Sequence, residues 1–422
     1  MYEEILDKML DLLKQEIENF SDDFNKTETE VMNLMMTLGK ALLQRLVNHS
    51  NNGYQGSSIT CKCGGSMKFI QHRSRNIQTL FGHIRLKRAY YYCSSCCTGI
   101  APYDKTSGLG SEQFSPAMAK ACCTLAVDDS FEQTSRKIEE LFGQKVSDNT
   151  IERIVHQVGN TVLTLQNAKL NEFLTDRKIP EAQVRPKRLY ICPDGTTVNE
   201  KDGWHETKVG CIYWQDERFV KQKRYTGSFE NSEVFGNHLW LDASRYGFRE
   251  ADEVVYIGDG AGWIRTIHDK HFRKATFIVD WFHASEHIWD CGKVLFGDGT
   301  DMTRKWVKHY ESLLWDGYIR RLLNDLKKLH KQSRCRKREA IETLHRYISS
   351  NEEQMCYDVF RSKGYDIGSG AVEGACKYVV GKRLKQAGMI WIRAGSSATL
   401  ALRITWLNKE WEELWSRKPL AA

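Results

Sequence analysis

The segment EVVYIGDGAGW, residues 253–263, is the clearest indication of the fold, because an apolar run stops abruptly at an acidic residue between glycines. The run is short and rich in β-branched residues, so it predicts a strand that ends just before Asp259. A second segment, ATFIVDW at 275–281, repeats the pattern and places Asp280 directly after a strand. A helical segment follows each strand, and such strand-helix units favour a mixed α/β sheet.

Three further strands are predicted upstream of these units. Their sequences are RLYICPDG at 188–195, WHETKVGCIYW at 204–214 and RFVKQKRYTGS at 218–228, and their spacing suits antiparallel neighbours. The first apolar run ends at Asp194, which we therefore expect at the end of a strand. Residues 301–360 show helical periodicity and no strand pattern.

The N-terminal part of the chain has a different character. Residues 1–50 predict two amphipathic helices, the first with Ile5 and Met9 on its apolar face and the second with Val31 and Leu38. β-Rich sequence follows, and residues 131–158 predict two helices joined by a short turn that contains glycine. Ser147 or Asp148 is expected to cap the second of these helices. The pair either enters a DNA groove or packs in the core.

Four cysteines bracket the β-rich stretch: Cys61 and Cys63 precede it, and Cys93 and Cys96 follow it. Two cysteine pairs on hairpin-like knuckles can hold Zn²⁺ through four thiolates and so stabilise a small β module. The C-x-C spacing of the first pair is shorter than is usual in a zinc ribbon. The alternatives are that Cys97, His72 or His83 replaces one ligand, or that the cysteines are free thiols.

Composition narrows the protein class. The chain has 422 residues, 13 cysteines and a net charge of +7, and it contains no apolar run long enough to span a bilayer. MYEEILDKML at the start is acidic where a signal peptide would be basic, so we expect a cytoplasmic protein with reduced thiols and no membrane partner.

Positive charge is concentrated in two islands. Residues 61–105 hold eight Lys and Arg against one acid, and residues 303–346 hold thirteen against five. A single basic run is usually a solvated helix face, but two such islands favour a polyanionic partner. In the first island, cations stand beside three consecutive tyrosines, which suits phosphate contacts and base stacking. The candidate DNA-binding residues are Arg73, Arg75, Arg85, Lys87, Arg88, Lys377, Arg383 and Lys385.

Three acidic residues form a candidate catalytic set. Asp194 and Asp259 follow strands, and Glu373 lies in the first turn of a helix after GSG. Each position alone is ordinary turn or helix chemistry. Together the three carboxylates predict a site for two Mg²⁺ or Mn²⁺ ions, which prefer oxygen ligands and promote chemistry at a phosphodiester.

Four segments resemble bacterial insertion-sequence transposases of the ISKra type, which are related to the ISLre type and more distantly to Mutator-like transposases. They are CPDGTTVNEKDGWHETKVG at 192–210, YIGDGAGWI at 256–264, IVDWFHASEH at 278–287, and GYDIGSGAVEGACKYVVGKRLKQAGMIW at 364–391. The resemblance implies an α+β multidomain protein with an RNase H-like mixed α/β core and a helical insertion. It also implies a catalytic triad of Asp194, Asp259 and Glu373.

These inferences divide the chain into six parts. We expect N-terminal helices at 1–55, which are a possible oligomerisation element, a zinc-ribbon-like module at 56–108, and a helix-turn-helix-like segment at 109–175. The first part of the catalytic core is expected at 185–298, a basic helical insertion at 299–364, and the C-terminal helices of the core at 365–422.

The predicted function is Mg²⁺-dependent cleavage and strand transfer at the inverted repeats of a mobile element. Its partners would be double-stranded DNA and a second copy of the chain in a synaptic dimer, and bound protein would associate with the nucleoid. An alternative is a transposase-derived protein that binds DNA through zinc but does not cut it.

A remote alternative is a zinc protease, because His283, Glu286 and His287 form an H-x-x-E-H pattern. The spacing from Asp280 to His283 instead resembles the (C/D)-x-x-H signature of Mutator-like and hAT transposases. His283 would then lie near the triad, either in a catalytic role or packed between sheet and helix.

Overall fold

The computed structural model describes residues 23–49, 52–110 and 112–416. The fold is mixed α/β and divides into two compact units, residues 1–155 with 412–422 and residues 156–411. The prediction of an α+β multidomain chain is confirmed at this level. The first predicted N-terminal helix lies outside the described residues. Within the described ranges, no helix is both long and apolar enough to cross a bilayer.

The first unit contains helix α1 (Phe24–His49) and a four-stranded antiparallel sheet in the order β1-β2-β3-β4. The strands are Ser58–Thr60, Ser66–Thr79, Gly82–Cys93 and Thr98–Ile100. Strands β2 and β3 form a long hairpin in which Thr79 faces Gly82. The turn of this hairpin lies at Leu80 and Phe81.

Side chains of α1 cover an exposed edge of strand β3. The Gln44 amide accepts from the Arg85 N–H and donates to the Arg85 carbonyl, both at 2.6 Å. Asn48 likewise accepts from the Lys87 N–H at 2.8 Å. These amides satisfy backbone groups that an additional strand would otherwise pair with, which removes a site for edge-to-edge association.

Four helices follow the sheet: α2 (Pro102–Thr106), α3 (Pro116–Ala126), α4 (Phe131–Phe142) and α5 (Asp148–Asp176). A capping box between Ser130 and Gln133 starts α4, and Gly143 ends it with a φ of 63°, which glycine adopts without strain. The Ser147 hydroxyl accepts from the Thr150 N–H at 3.3 Å, so Ser147 rather than Asp148 caps α5.

The second unit is built on a five-stranded sheet in the order β7-β6-β5-β8-β9. The strands are β5 (Arg188–Glu200), β6 (Gly203–Gln215), β7 (Lys221–Ser228), β8 (Glu253–Gly258) and β9 (Thr276–Val279). Strands β5, β6 and β7 are antiparallel, whereas β8 and β9 run parallel to β5. Helices α6 (Ser232–Arg245) and α7 (Gly262–His271) bury Phe235, Leu239 and Ile264 against the sheet.

A helical region separates β9 from the C-terminal helices. It contains α8 (Trp281–Phe296), α9 (Asp301–Trp315), α10 (Ile319–Gln332), α11 (Cys335–Ser350), a 3₁₀ turn (Glu352–Met355) and α12 (Tyr357–Ser362). The chain then returns to the end of β9, where the Trp281 N–H donates to the Ile367 carbonyl at 3.0 Å.

The C-terminal helices contain an irregular turn. Helix α13 (Gly370–Ala375) continues into a π-helix (Cys376–Gly381), then α14 (Lys382–Leu384), α15 (Arg393–Leu407) and α16 (Trp411–Ser416). The fully buried Arg403 donates from Nε to the Val379 carbonyl at 2.8 Å. A widened π turn leaves carbonyls poorly paired, and this guanidinium satisfies them.

Helices α5 and α15 approach closely at Gly159, and this contact predicts a stability effect. A Cβ at Gly159 would lie 2.3 Å from the Ala398 carbonyl oxygen, a backbone atom that cannot move aside. Gly159→Ala should therefore destabilise the second unit by about 1–3 kcal/mol, the usual cost of overpacking. Thermal unfolding of the full chain measures it.

Gly262→Ala is the matched control, because Gly262 is also helical and a Cβ there meets nothing within 4 Å. Alanine in place of glycine should leave the unfolding temperature unchanged or raise it slightly. Equal unfolding temperatures for the two variants would contradict the close contact.

Candidate active site and metal centre

Asp194 lies within strand β5 rather than at its end, which corrects the expectation from sequence. The parallel ladder between β5 and β8 ends at Ile191 opposite Tyr256, but the hairpin of β5 and β6 continues to Glu200. Asp194 pairs with Val209 in this extension. The Asp194 backbone therefore pairs only with β6, because the pairing of β5 with β8 has already ended at Ile191.

The Asp194 carboxylate accepts two hydrogen bonds. Oδ1 accepts from the Gly195 N–H at 2.7 Å, and Oδ2 lies 3.4 Å from the Cys376 Sγ, which donates to it. Burial raises the pKa of Asp194, and the charge of Asp259 raises it further, whereas these hydrogen bonds and His283 oppose the shift. A nearby cation would relieve the repulsion between the two carboxylates.

Asp259 follows β8 directly, as the sequence predicts. Its Oδ1 accepts from the Ala261 N–H at 2.7 Å, a short Asx-type turn that leads into α7. The Tyr347 hydroxyl from α11 donates to its backbone carbonyl at 3.0 Å. Asp259 is therefore positioned from both the sheet and the helical region that precedes α12.

Asp280 follows β9 and is almost completely buried, with 1% of its surface exposed. It caps α8 by accepting from the Phe282 N–H at 3.1 Å. It also accepts from the Ser369 N–H at 3.0 Å and from the Ser369 hydroxyl at 2.5 Å. Charge-assisted bonds of this kind are strong in a buried setting, so Asp280 ties the start of α8 to the residue before α13.

Glu373 lies one turn into α13, which begins at Ser369 as its N-cap. Its carboxylate accepts from Lys377 Nζ at 2.7 Å, one helical turn later. This hydrogen bond, together with the charges of Lys377 and His283, holds the pKa of Glu373 below its usual range. The hydrogen bonds from Ser369 to Asp280 thus determine where Glu373 enters the site.

His283 lies on the first turn of α8 and its side chain is 41% exposed. Nε2 is 3.9 Å from Asp280 Oδ2, and Nδ1 is 3.6 Å from Glu286 Oε2. His287 instead packs on the Tyr347 ring with centroids 3.8 Å apart, and burial lowers its pKa. His283, Glu286 and His287 therefore do not share one metal-ligand geometry.

Electrostatic contacts link the three predicted carboxylates and His283. Asp259 and His283 both act on Asp194, and His283 also acts on Glu373. Direct contacts agree with this proximity: Asp194 is bonded to Cys376, one turn after Glu373, and Asp259 follows the strand that pairs with β5. His283 lies 3.9 Å from Asp280, which is bonded to Ser369 just before the Glu373 helix.

The three carboxylates do not form a compact ligand cluster. In the described ranges, the sets of at least three possible ligands whose atoms lie within 4.8 Å of one another are the four cysteines and Glu200 with Asp202 and His205. Three like charges repel one another, so wider spacing is expected for them in the absence of a cation. The oxygen donors themselves suit a hard divalent ion.

Glu200, Asp202 and His205 are better explained as an ion-pair cluster. Glu200 accepts from Arg393 Nε at 2.9 Å and from the Ser396 hydroxyl at 2.7 Å. Although burial opposes it, Arg393 and Ser396 hold the pKa of Glu200 below its usual range. A carboxylate already bonded to a guanidinium is a poor metal ligand.

The predicted DNA-binding residues fall into two groups. Arg73, Arg85, Lys87, Lys377 and Lys385 are exposed. Arg73 lies over the Tyr90 ring at 3.5 Å, which supports the proximity of cation and aromatic ring expected from the sequence.

Three of the predicted DNA-binding residues are not on the surface. Arg75 and Arg88 form ion pairs with Asp104, and their side chains are only 11% and 14% exposed. Arg383 is completely buried and lies over the Trp391 ring. A count of cations in the sequence does not reveal this, because strand alternation and helix packing decide which of them face inward.

The four cysteines Cys61, Cys63, Cys93 and Cys96 form the second candidate centre. Their sulfur atoms all lie within 4.8 Å of one another, with Cys61 and Cys96 at 3.5 Å and Cys63 and Cys93 at 3.7 Å. The set can therefore hold a metal ion such as zinc, as predicted. The other predicted ligands, Cys97, His72 and His83, are not part of it.

Neighbouring groups already favour thiolate at one of these positions. Hydrogen bonds from the Thr98 hydroxyl and from the other thiols lower the pKa of Cys96 to about 6. Despite a hydrogen bond from the Gly65 N–H, the same thiols raise the pKa of Cys63 to about 12. Four thiolates repel each other without a cation, and a bound metal removes this conflict.

Sequence patterns did not identify two contacts in the carboxylate site. Cys376 donates to Asp194, and the Tyr347 hydroxyl binds the Asp259 backbone. The contact between Cys376 and Asp194 could have been found from the three-residue interval between Glu373 and Cys376, because residues three apart lie on one helix face. The second joins residues 88 positions apart and had no local signal.

Replacing one ligand tests the cysteine centre. Cys93→Ser should reduce the zinc retained after purification to well below one ion per chain and lower the unfolding temperature, because a structural metal contributes directly to folding. Elemental analysis and thermal unfolding measure both. Cys97→Ser is the control, and loss of zinc in that variant would contradict the four-ligand assignment.

Comparison with known proteins identifies the family to which the chain belongs. The uncharacterised protein family UPF0236 matches residues 61–413, which include both candidate centres. A relative from Streptococcus gallolyticus, described as a UPF0236 protein in the vanSb 3′ region, is 26% identical over 351 residues, which are 78% of this chain and 72% of the relative. Because the family match covers well over half of the sequence, the chain belongs to the UPF0236 family.

Proposed function

We propose that the protein is a DDE-type DNA transposase that binds the ends of a mobile element, cleaves its strands and joins them to target DNA. The observation that carries the proposal is the contact between Asp194 on β5 and Cys376, one turn after Glu373, with Asp259 directly after the neighbouring strand β8. Three carboxylates beside an exposed histidine suit chemistry on a phosphodiester.

The sheet topology supports an RNase H-like core. Three antiparallel strands are followed by two parallel ones, with Asp194 on the first strand and Asp259 directly after the fourth. Glu373 enters on a helix after a helical insertion, as the resemblance to insertion-sequence transposases implies.

The carboxylate oxygens are the donors that would hold two Mg²⁺ or Mn²⁺ ions. Such ions, when bound, activate the attacking hydroxyl and stabilise the departing oxygen of an in-line displacement. Asp194 is oriented by Gly195 and Cys376, and Asp259 by Ala261, so one oxygen or more of each is fixed before DNA arrives. To bind such an ion, the Glu373 carboxylate would have to give up its hydrogen bond to Lys377.

His283 would act on the DNA rather than as a general base. Its ring is exposed and has Asp280 within 3.9 Å of Nε2, and Asp280 is in turn bonded to Ser369 at the start of the Glu373 helix. A histidine held in this way can donate to a non-bridging phosphate oxygen at the scissile position. Lys377, once released from Glu373, supplies a second cation to the same phosphate region.

A basic turn in the helical insertion supports DNA as the partner. The residues from 327 to 338 join α10 to α11 and contain seven Lys and Arg and no acid. They are Lys327, Lys328, Lys331, Arg334, Arg336, Lys337 and Arg338, and all are exposed. Such density suits binding to a phosphate backbone.

The first unit would contribute binding and assembly. The cysteine centre holds the hairpin that carries exposed Arg73, Arg85 and Lys87. Helix α1 exposes Met32 and Met35, which are 58% and 44% exposed and suit contact with a second copy. Cleavage of two element ends in one complex would use such a dimer.

A non-catalytic DNA-binding protein is the second candidate. The observation in its favour is the wide spacing of the three carboxylates, together with the bond that Glu373 makes to Lys377. This candidate and the transposase both bind DNA, so cleavage distinguishes them.

Substitution of a carboxylate tests catalysis. Asp194→Asn keeps the size of the side chain but removes its charge, and Mg²⁺-dependent cleavage of element-end DNA should fall by at least on the order of 10²-fold, the scale on which one electrostatic group acts on a transition state. Asp259→Asn and Glu373→Gln should behave alike. Gel analysis of labelled element ends measures the rate.

Asp298→Asn is the control, because Asp298 is exposed in the loop after α8. It should cleave at the unaltered rate. Absence of Mg²⁺- or Mn²⁺-dependent cleavage by the unaltered protein on its own element ends, with DNA binding retained, would favour the non-catalytic candidate.

The basic turn gives a prediction for salt dependence. Replacing Lys327, Lys328 and Lys331 by Gln should weaken DNA binding and reduce the slope of log K against log salt by about 0.9 for each phosphate that these lysines neutralise. Fluorescence anisotropy at several salt concentrations measures the slope. A control with Lys187, Arg249 and Lys274 replaced by Gln removes the same charge elsewhere, and an equal effect there would mean that only net charge matters.

A further inference from the structure

A cavity of about 500 Å³ lies in the first unit, between the β2-β3 hairpin and the helices that follow it. Its volume is within the range of small-molecule sites and exceeds what a simple ion needs. The proposed catalytic site does not use it, because that site is built from residues of the second unit. The cavity therefore has no part in the proposed catalysis.

One wall of the cavity carries cations. Arg75 and Arg88 lie on the same face of the hairpin and reach the cavity from β2 and β3. Both are held by Asp104, and Arg75 Nη1 also donates to the Gly110 carbonyl at 2.7 Å. Arg153 adds a third guanidinium from α5.

Two buried N–H groups on this wall have no acceptor. Arg75 Nη2 and Arg88 Nε are inaccessible to solvent and make no hydrogen bond within the described part of the chain. Asp104 Oδ1, at 3.4 Å from Arg75 Nη1, is a buried acceptor that also makes no hydrogen bond there. Buried guanidinium donors are rarely left without an acceptor, and an exception calls for a group supplied from outside. An acceptor on a bound ligand would satisfy these donors, and the surrounding cations favour a negative one.

The charge around the cavity is positive overall. Three arginines face two nearby carboxylates, Asp104 and Glu112, and neither carboxylate lines the cavity. Asp104 is shared between Arg75 and Arg88, so it does not neutralise both. A bound anion would balance the remaining charge, which is costly to leave buried.

Part of the cavity lining is apolar. The apolar residues are Phe114, Met118, Val146 and Ile154, and the Arg153 guanidinium lies 5.9 Å from the centre of the Phe114 ring. Asn76 and Gln113 add amide groups to the lining. A ligand that fits must therefore combine an anionic end with a flat or apolar end that bears hydrogen-bonding groups.

From these features we infer that the cavity binds a nucleotide, with its phosphate on Arg75, Arg88 and Arg153 and its base against the apolar part of the lining. The nucleotide is either a free mononucleotide or an unpaired nucleotide of a DNA strand. The second source rests on the proposed function, whereas the first does not. In both, the phosphate supplies acceptors to Arg75 Nη2 and Arg88 Nε.

Binding to the full chain tests the site without any measurement of cleavage. dAMP, inorganic phosphate and a single-stranded oligonucleotide of about ten nucleotides are titrated separately by calorimetry. Arg153→Gln should weaken binding of dAMP, of the oligonucleotide, or of both by at least about tenfold, since it removes a charged donor. Arg153 is exposed and has no ion pair in the described ranges, so the variant should fold normally.

Arg249→Gln is the control, because Arg249 is an exposed arginine that does not line the cavity. Arg88→Lys keeps the charge and removes the Nε donor, so it should also weaken binding. Loss of dAMP binding with unchanged oligonucleotide binding identifies a free nucleotide as the ligand, and the converse identifies a DNA strand.

Three results would overturn the inference. The first is an absence of binding for both dAMP and the oligonucleotide, and the second is equal weakening by Arg153→Gln and Arg249→Gln. The third is binding of inorganic phosphate as tight as that of dAMP, which would assign the cavity to phosphate without a base. None of these results bears on the carboxylate site, because Asp194→Asn is judged by cleavage alone.

Discussion

The buried carboxylate of Asp280 is the constraint on which the second unit depends. It receives hydrogen bonds from the start of α8 and from Ser369, which precedes α13 by one residue. His283 follows on the first of these elements and Glu373 on the second. One side chain thus sets the relative position of two candidate site residues that are 90 positions apart in sequence. A neutral replacement would weaken both links at once, because each relies on the same charge.

The π-helix that follows Glu373 also helps to hold the carboxylates in position. The π-helix from Cys376 to Gly381 directs Cys376 towards Asp194 and leaves carbonyls that the buried Arg403 satisfies. Burying a guanidinium costs free energy unless its donors find acceptors, and the widened turn provides them. The irregular helix and the buried arginine therefore depend on each other, and together they hold the first carboxylate of the proposed triad.

The local sequence pattern was sufficient to predict the positions of Asp259, Asp280 and the four cysteines, because each position depends on neighbours within a few residues. The mixed sheet followed from the order of strand and helix patterns. The apolar run that stops at Asp194 predicts a strand end there, yet pairing with β6 extends the strand to Glu200. Arg75, Arg88 and Arg383 were expected on the surface, and burial by distant elements was not readable from their immediate sequence. Interactions over long sequence separation account for these differences.

The hydrogen bond from the Trp281 N–H to the Ile367 carbonyl has an evolutionary consequence. It joins the two ends of the helical region that leaves the sheet after β9 and returns before α13. Because loop-closure entropy grows only slowly with length, helices can be added to or removed from this region at little cost in stability to the contact that joins its ends. This helical region can therefore diverge in length and in surface residues among related chains, while the positions of the carboxylates on the sheet and on α13 stay the same.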